Sequence, residues 1–301
     1  IMPSLVGSEM CIRDRLQFIK KKKVDITDTG DLQWHLSVRY QWSSDKQRLF
    51  ASQTAYIEKI AKTFGVDPNL TKGPATPMSE RFEVKPEEIP AIEDIDEGLR
   101  TETKRLLGSV LFPAGWCRPD LSCSVIKVAR HAHQPSDKVY DAGMQILEHL
   151  VVTKKDGIRY SARVEDYHGH ARNQLYAYVD SSFADDIPSR KSTSGFLIFL
   201  NGTPIGFRSK QSPIVVASTG HAEYVAAALC VQDVLYYREI LGRLGFEQTE
   251  PTPIYEDNET AIAITNGTGS NGNRHIDVRY HFLREQQRLM NIVMIPPSTH
   301  D

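Results

Sequence analysis

Residues 175–180, LYAYVD, decide how the second half of this chain is read. The segment is rich in aromatic and β-branched residues and ends in an acid, so it predicts a strand that delivers Asp180 to a sheet edge. TPIYED at 252–257 has the same form and ends on Asp257. In an open α/β sheet, neighbouring strands that finish at one edge bring such residues side by side. Between the two, GFLIFLNG and TPIGFRSK read as strands joined by Asn201-Gly202, a strong hairpin signal. SPIVVAS reads as a further strand. Thr219 to Leu244 reads as a long helix, capped by Ser218 or Thr219 and closed by Gly245. NETAIAITNG predicts a helix, GTGSNGN a loop, His275 to Asn291 another helix and IVMIP a last strand. The alternation is that of an α/β fold over 175–301.

That arrangement sets Glu223 near the first turn of the long helix, within reach of both strand ends. Three carboxylates brought together raise one another's pKa and cost stability unless a cation compensates. Hard oxygen ligands suit Mg²⁺ or Mn²⁺, and such a cluster is the form of a two-metal phosphoryl-transfer site. Taken singly, each acid also fits a bland role. Asp257, just before Asn258, could be part of a helix cap.

The rest of the chain is organised differently. Residues 32–52 read as a strand pair with SSDKQ at the turn, and TAYIEKIAKTFG as an amphipathic helix closed by Gly65. Residues 67–100 are rich in proline, glycine and acid, and read as loop or linker. TETKRLLGSVLF, PDLSCSVIKVARH and the stretch from Lys138 to Thr153 carry apolar residues at helical spacing, followed by the short strand IRYSAR. The polar stretch VEDYHGHARNQ is the expected domain boundary. The net charge of −2 neither requires nor forbids a nucleic-acid partner. The four cysteines form no Cys-x-x-Cys pair, and no apolar run is long enough to cross a membrane. Residues 3–15, PSLVGSEMCIRDR, resemble a translated adapter sequence rather than a targeting peptide.

Long ordered motifs then carry a resemblance. YVDSSFADDIPSRKSTSGFLIFLNGTPIGFRSKQSPIVVASTGHAEYVAAA, PTPIYEDNETAIAITN and RHIDVRYHFLREQ resemble the ribonuclease H domain of copia-type LTR retrotransposon Pol polyproteins. DTGDLQWHLSVRYQWSSDKQRLFASQTAYIEKIAKTFG and ATPM resemble the end of the reverse transcriptase palm. RLLGSVLFPAGWCRPDLSCSVIKVARHAHQPSDKVYDAGMQILEHLVVTKKDGIRYSA resembles the thumb and connection region. The resemblance implies a mixed sheet flanked by helices at 175–301, palm residues at 16–80, a linker at 81–100 and a helical thumb/connection region at 101–165. Residues 1–15 stand outside it. It implies hydrolysis of RNA in RNA–DNA hybrids, with Asp180, Glu223 and Asp257, spaced by 43 and 34 residues, as metal ligands for Mg²⁺ or Mn²⁺. The implied partners are the hybrid and the rest of the polyprotein, with no membrane, in a cytoplasmic virus-like particle or the nucleus.

Three departures qualify this. The Tyr-x-Asp-Asp polymerase hairpin is absent, and Asp185-Asp186 does not replace it. His221 stands where the family often has an acid. The fourth acid of the nuclease is expected beyond Asp301, with Asp277 as a lesser candidate. A truncated or decayed copy that binds nucleic acid without cutting it is therefore the alternative. Arg190, Lys191, Arg208 and Lys210, with Ser192, Thr193 and Ser194, are the candidates for phosphate contact, against a plain solvated face or turn. His131 with His133, and His168 with His170, read as ordinary histidines rather than ligand pairs. Trp34, Trp42 and Trp116 are expected to pack in cores.

Overall fold

The computed structural model describes residues 21–22, 32–80, 82–266 and 277–297, with the backbone alone at 277–280. The first part of the chain builds a four-stranded antiparallel sheet in the order β1-β2-β3-β4, from Trp34–His35, Val38–Trp42, Arg48–Ser52 and Gly157–Ser161. Gly157 is required there. A Cβ on it would stand 2.1 Å from the Ala51 carbonyl oxygen, so the β3–β4 pairing admits only hydrogen at that point.

The same part of the chain forms the helices α1 (Thr54–Thr63), α2 (Glu97–Ala114), α3 (Ser122–Ala129) and α4 (Asp137–Val152). They share one core around Ile57, Leu106, Val125, Ile146 and Leu150, all fully buried. Asp96 caps α2 by accepting from the Gly98 and Leu99 N–H groups. From the proline-rich stretch, Val84 joins this core, and Leu70, Met78, Phe82 and Ile89 pack against it.

The second part is a five-stranded mixed sheet in the order β7-β6-β5-β8-β9. Its strands are β5 (Leu175–Ser182), β6 (Thr193–Leu200), β7 (Thr203–Gln211), β8 (Thr252–Tyr255) and β9 (Ile292–Ile295). β5, β6 and β7 are antiparallel; β5, β8 and β9 run parallel. Helices α5 (Thr219–Arg243), α6 (Glu259–Thr265) and α7 (Asp277–Arg288) complete the unit. The period of two along β5 sends Leu175, Ala177 and Val179 into the core. There they meet Tyr224, Ala227, Val231 and Val234 of α5. The same alternation turns Tyr176, Tyr178 and Asp180 to the opposite face.

The Asn201-Gly202 turn forms as expected, with both residues at positive φ. A Cβ on Gly202 would lie 1.9 Å from the Asp166 carbonyl oxygen. Gly202→Ala is therefore expected to destabilise the protein by more than about 1 kcal/mol, read as a lowered urea midpoint at unchanged slope.

Three expectations fail. LQWHLSVRYQW is not one strand: the chain turns at Leu36 and Ser37, both at positive φ, and β1 pairs back on β2. SPIVVAS is not a strand: Pro213 has no N–H to donate to a ladder, and the Ser212 hydroxyl bonds the Ile214 carbonyl, bending the chain away after β7. Its Val216 packs instead with Ala222 and Val225 in a small separate cluster. The three tryptophans do not fill cores. Trp34, Trp42 and Trp116 are 55%, 48% and 42% exposed. Trp34 lies on the outer strand β1, where the Arg39 guanidinium lies over its ring at 5.9 Å, and Trp42 ends the inner strand β2. Among the described residues no helix is long and apolar enough to cross a membrane.

Candidate active site

Asp180 comes from the C-terminal half of β5, Asp257 from two residues past the end of β8, and Glu223 from the first turns of α5. The parallel β5–β8 pairing registers Tyr178 against Tyr255, which sets the residues two further along side by side. Ser218 caps α5 by accepting from the His221 N–H, and so fixes where that helix begins. One carboxylate oxygen from each of the three acids lies within 4.8 Å of the others. Among the described residues this is the group that could hold a metal, and His221 is not in it.

The electrostatics are those of a site made for a cation. Glu223 is 6% exposed, and one of its carboxylate oxygens has no hydrogen-bond partner. Burial pushes its carboxyl up to about 9, with Glu256, Asp180 and Asp257 adding repulsion and the Ser181 N–H opposing it. Glu256 is fully buried and is a residue that strand-end reasoning missed. It accepts the Asn258 N–H at 2.9 Å, leaves its other oxygen unpaired, and is raised to about 7, chiefly by burial. The signal was in the sequence. Thr252, Ile254 and Glu256 alternate with Tyr255 and Asp257, which places an acid on the core side of the strand.

A groove of about 430 Å³ opens at the same edge. It is lined by Asp180 and Asp257, by Tyr178, Tyr255 and Phe207, and by Cys123 of the helical region. Tyr178 and Tyr255 stack with centroids 4.7 Å apart.

Of the other expected residues, Thr193 and Arg208 line this groove, and Arg190, Lys191, Ser192, Ser194 and Lys210 are not on its lining. Arg190 is exposed at a positive φ on the β5–β6 loop, and Lys191 follows it half-buried. Ser192 is buried and its hydroxyl accepts the Ala184 N–H at 3.0 Å. Lys210 is exposed on β7, while Arg208 pairs with Asp233 at 3.0 Å. Thr193 and Ser194 are buried. Asp277 opens α7, but its side chain lies outside the described residues. Residues 298–301 and GTGSNGN beyond Asn266 lie outside them as well. His170 stacks on Tyr176 at 3.5 Å, and His131 faces Asp186 at 3.8 Å; neither joins the acids.

A mixed five-stranded sheet in this order, with acids at two parallel strand ends and a third on the helix packed behind them, is a ribonuclease H-like fold. The comparisons fix the lineage. The chain is 27% identical over 299 residues to the retrovirus-related Pol polyprotein from transposon TNT 1-94 of Nicotiana tabacum, covering 99% of this chain and 22% of the relative. It is 31% identical over 202 residues to the Pol polyprotein from transposon RE2 of Arabidopsis thaliana, covering 67% of this chain and 13% of the relative. The chain belongs to the copia-type retrotransposon Pol family, and it spans about a fifth or less of the length of these relatives. Among solved structures, LC11-RNase H1 in complex with an RNA/DNA hybrid matches at 12% identity and a TM-score of 0.34. That match covers 42% of this chain and 87% of the other. No family model matches the chain.

Proposed function

We propose that the chain hydrolyses RNA in RNA–DNA hybrids, with two divalent cations held by Asp180, Glu223 and Asp257, as the nuclease part of a reverse-transcribing Pol polyprotein. The observation that carries the proposal is the convergence of these three carboxylates within 4.8 Å, with Glu223 buried and one of its oxygens unpaired. Nothing in a protein core favours that arrangement, and a pair of Mg²⁺ or Mn²⁺ ions satisfies it.

When bound, such ions activate a water and stabilise the leaving 3′ oxygen of a phosphodiester. The chain's own residues do the rest. Asp180 and Asp257, on registered strand ends, fix the position of the scissile phosphate. Glu223, protonated at neutral pH while the site is empty of cations, gives up its proton as a divalent ion is bound. Tyr178, Tyr255 and Phe207 give the groove an apolar floor against which sugars and bases can pack. Arg208, on the groove wall, with Arg190, Lys191 and Lys210, is proposed to meet backbone phosphates. The setting proposed is the element's virus-like particle in the cytoplasm, or the nucleus.

Incubation with an end-labelled hybrid tests this. The RNA strand is expected to be cut in Mg²⁺ or Mn²⁺ and spared in chelator, with single-stranded DNA untouched. A folded chain that binds hybrid but never cuts it would leave only the reading of a non-catalytic copy.

The raised carboxyl of Glu223 also predicts how stability follows pH. Its folded pKa stands above the unfolded value, so the unfolded chain binds fewer protons between those two pKa values, and stability falls as pH rises from about 4.5 towards 9. Glu256 acts in the same direction up to about 7. Divalent cation should reverse the loss. At a hundred times Kd it contributes about 2.7 kcal/mol, a Tm rise of several degrees at pH 8 and much less at pH 5. An equal rise at both pH values, in thermal melts with Mg²⁺, would contradict the assignment.

A further inference from the structure

The loop between β5 and β6 leaves the catalytic strand two residues after Asp180, and helix α3 of the first unit holds it. Arg130, at the end of α3, has a side chain only 10% exposed. Its guanidinium reaches Asp185 at 3.4 Å, approaches Asp186 at 4.0 Å and donates to the Thr193 hydroxyl. Thr193 in turn donates to the Asp185 carboxylate at 2.6 Å. Lys127, one turn earlier on the same helix, pairs with Asp185 at 3.2 Å, and His131 faces Asp186 at 3.8 Å. Asp186 accepts from the Ser189 hydroxyl and N–H and so ties the loop to itself. These groups are largely shielded from water, where charge pairs are worth more than on a surface.

Thr193 is the residue that pairs with Ser182, the end of β5. The cluster therefore clamps the β5–β6 pair at the point where the hairpin closes. Asp180 sits two register steps in from that point, opposite Gly195, which has no side chain to fix it from β6.

We infer that Arg130 is a positioning residue for the metal-binding site: helix α3 holds Asp180 in place through Asp185 and Thr193, so the site is built by both parts of the chain. The inference rests on the nuclease reading for the identity of the site, but not for its test. Groups behind a metal ligand are worth about 10–100-fold in metal affinity or activity.

The experiment uses the full chain, with Arg130→Ala, Arg130→Lys and Asp185→Asn, and follows Mn²⁺ binding by electron paramagnetic resonance alongside hybrid cleavage. For Arg130→Ala, Mn²⁺ affinity is expected to fall by about ten-fold and kcat by a similar factor, with KM for hybrid little changed. Arg130→Lys keeps a charge beside Asp185 and should recover much of the loss. Should Arg130→Ala fail to fold, Asp185→Asn, which keeps the volume of the side chain and removes its charge, carries the same test. A folded variant with wild-type Mn²⁺ affinity and kcat overturns the inference. If the wild type binds Mn²⁺ and loses affinity with Arg130→Ala, but cuts no hybrid, the inference stands and the nuclease reading falls. A wild type that binds no Mn²⁺ overturns both.

Discussion

Asp180→Asn is expected to reduce cleavage of an RNA–DNA hybrid by at least about 10³-fold, which corresponds to about 4 kcal/mol of lost transition-state stabilisation. The substitution is nearly isosteric and removes one of three converging carboxylates. Asp180 is on the exposed side of β5, away from the core that Leu175, Ala177 and Val179 build, so the fold should be untouched. Single-turnover rates with saturating hybrid would separate loss of chemistry from loss of binding. A variant that retained a tenth of the wild-type rate would mean that Asp180 is not a ligand.

Glu223→Gln should produce the second largest effect, and it should act on activity and stability in opposite directions. Cleavage is expected to drop by about 10²-fold or more, because an amide is a poorer ligand for a hard cation. In the absence of metal at pH 8, the variant is expected to melt at a higher temperature than the wild type. The reason is that Glu223 is buried beside Glu256, Asp180 and Asp257, and ionising it there is unfavourable. The neutral amide removes that burden, and the gain should vanish near pH 5, where the glutamate is itself protonated. A variant less stable than the wild type at pH 8 would show that hydrogen bonds to Glu223 outweigh the repulsion.

Most of the second unit could be read from the residues because its signals are local. LYAYVD and TPIYED announce strands by composition, Asn201-Gly202 announces its turn, and Ser218 with Gly245 bounds the helix. The three acids were legible for the same reason, since each is placed by a strand end or a helix start. What local signals cannot give is partnership across the chain. SPIVVAS has the composition of a strand but finds no ladder, because Pro213 and the Ser212 hydroxyl turn it aside. The tryptophans read as core residues by size, yet each is more than 40% exposed. Arg130-His131 and Asp185-Asp186 are two adjacent pairs about 55 residues apart along the chain, and only the tertiary fold brings them into one cluster. Glu256 was visible in the sequence, but its burial follows from the sheet that covers it.

The most direct test of the account is to locate the ions. Crystals of the chain with an RNA–DNA hybrid and Mn²⁺, on an Asp180-intact protein held at a temperature that slows cleavage, would show manganese by its anomalous scattering. The account predicts two peaks roughly 4 Å apart, flanked by Asp180, Glu223 and Asp257 and touching one RNA phosphate. An ordered hybrid with no peak among these carboxylates, or with manganese bound elsewhere, would contradict it.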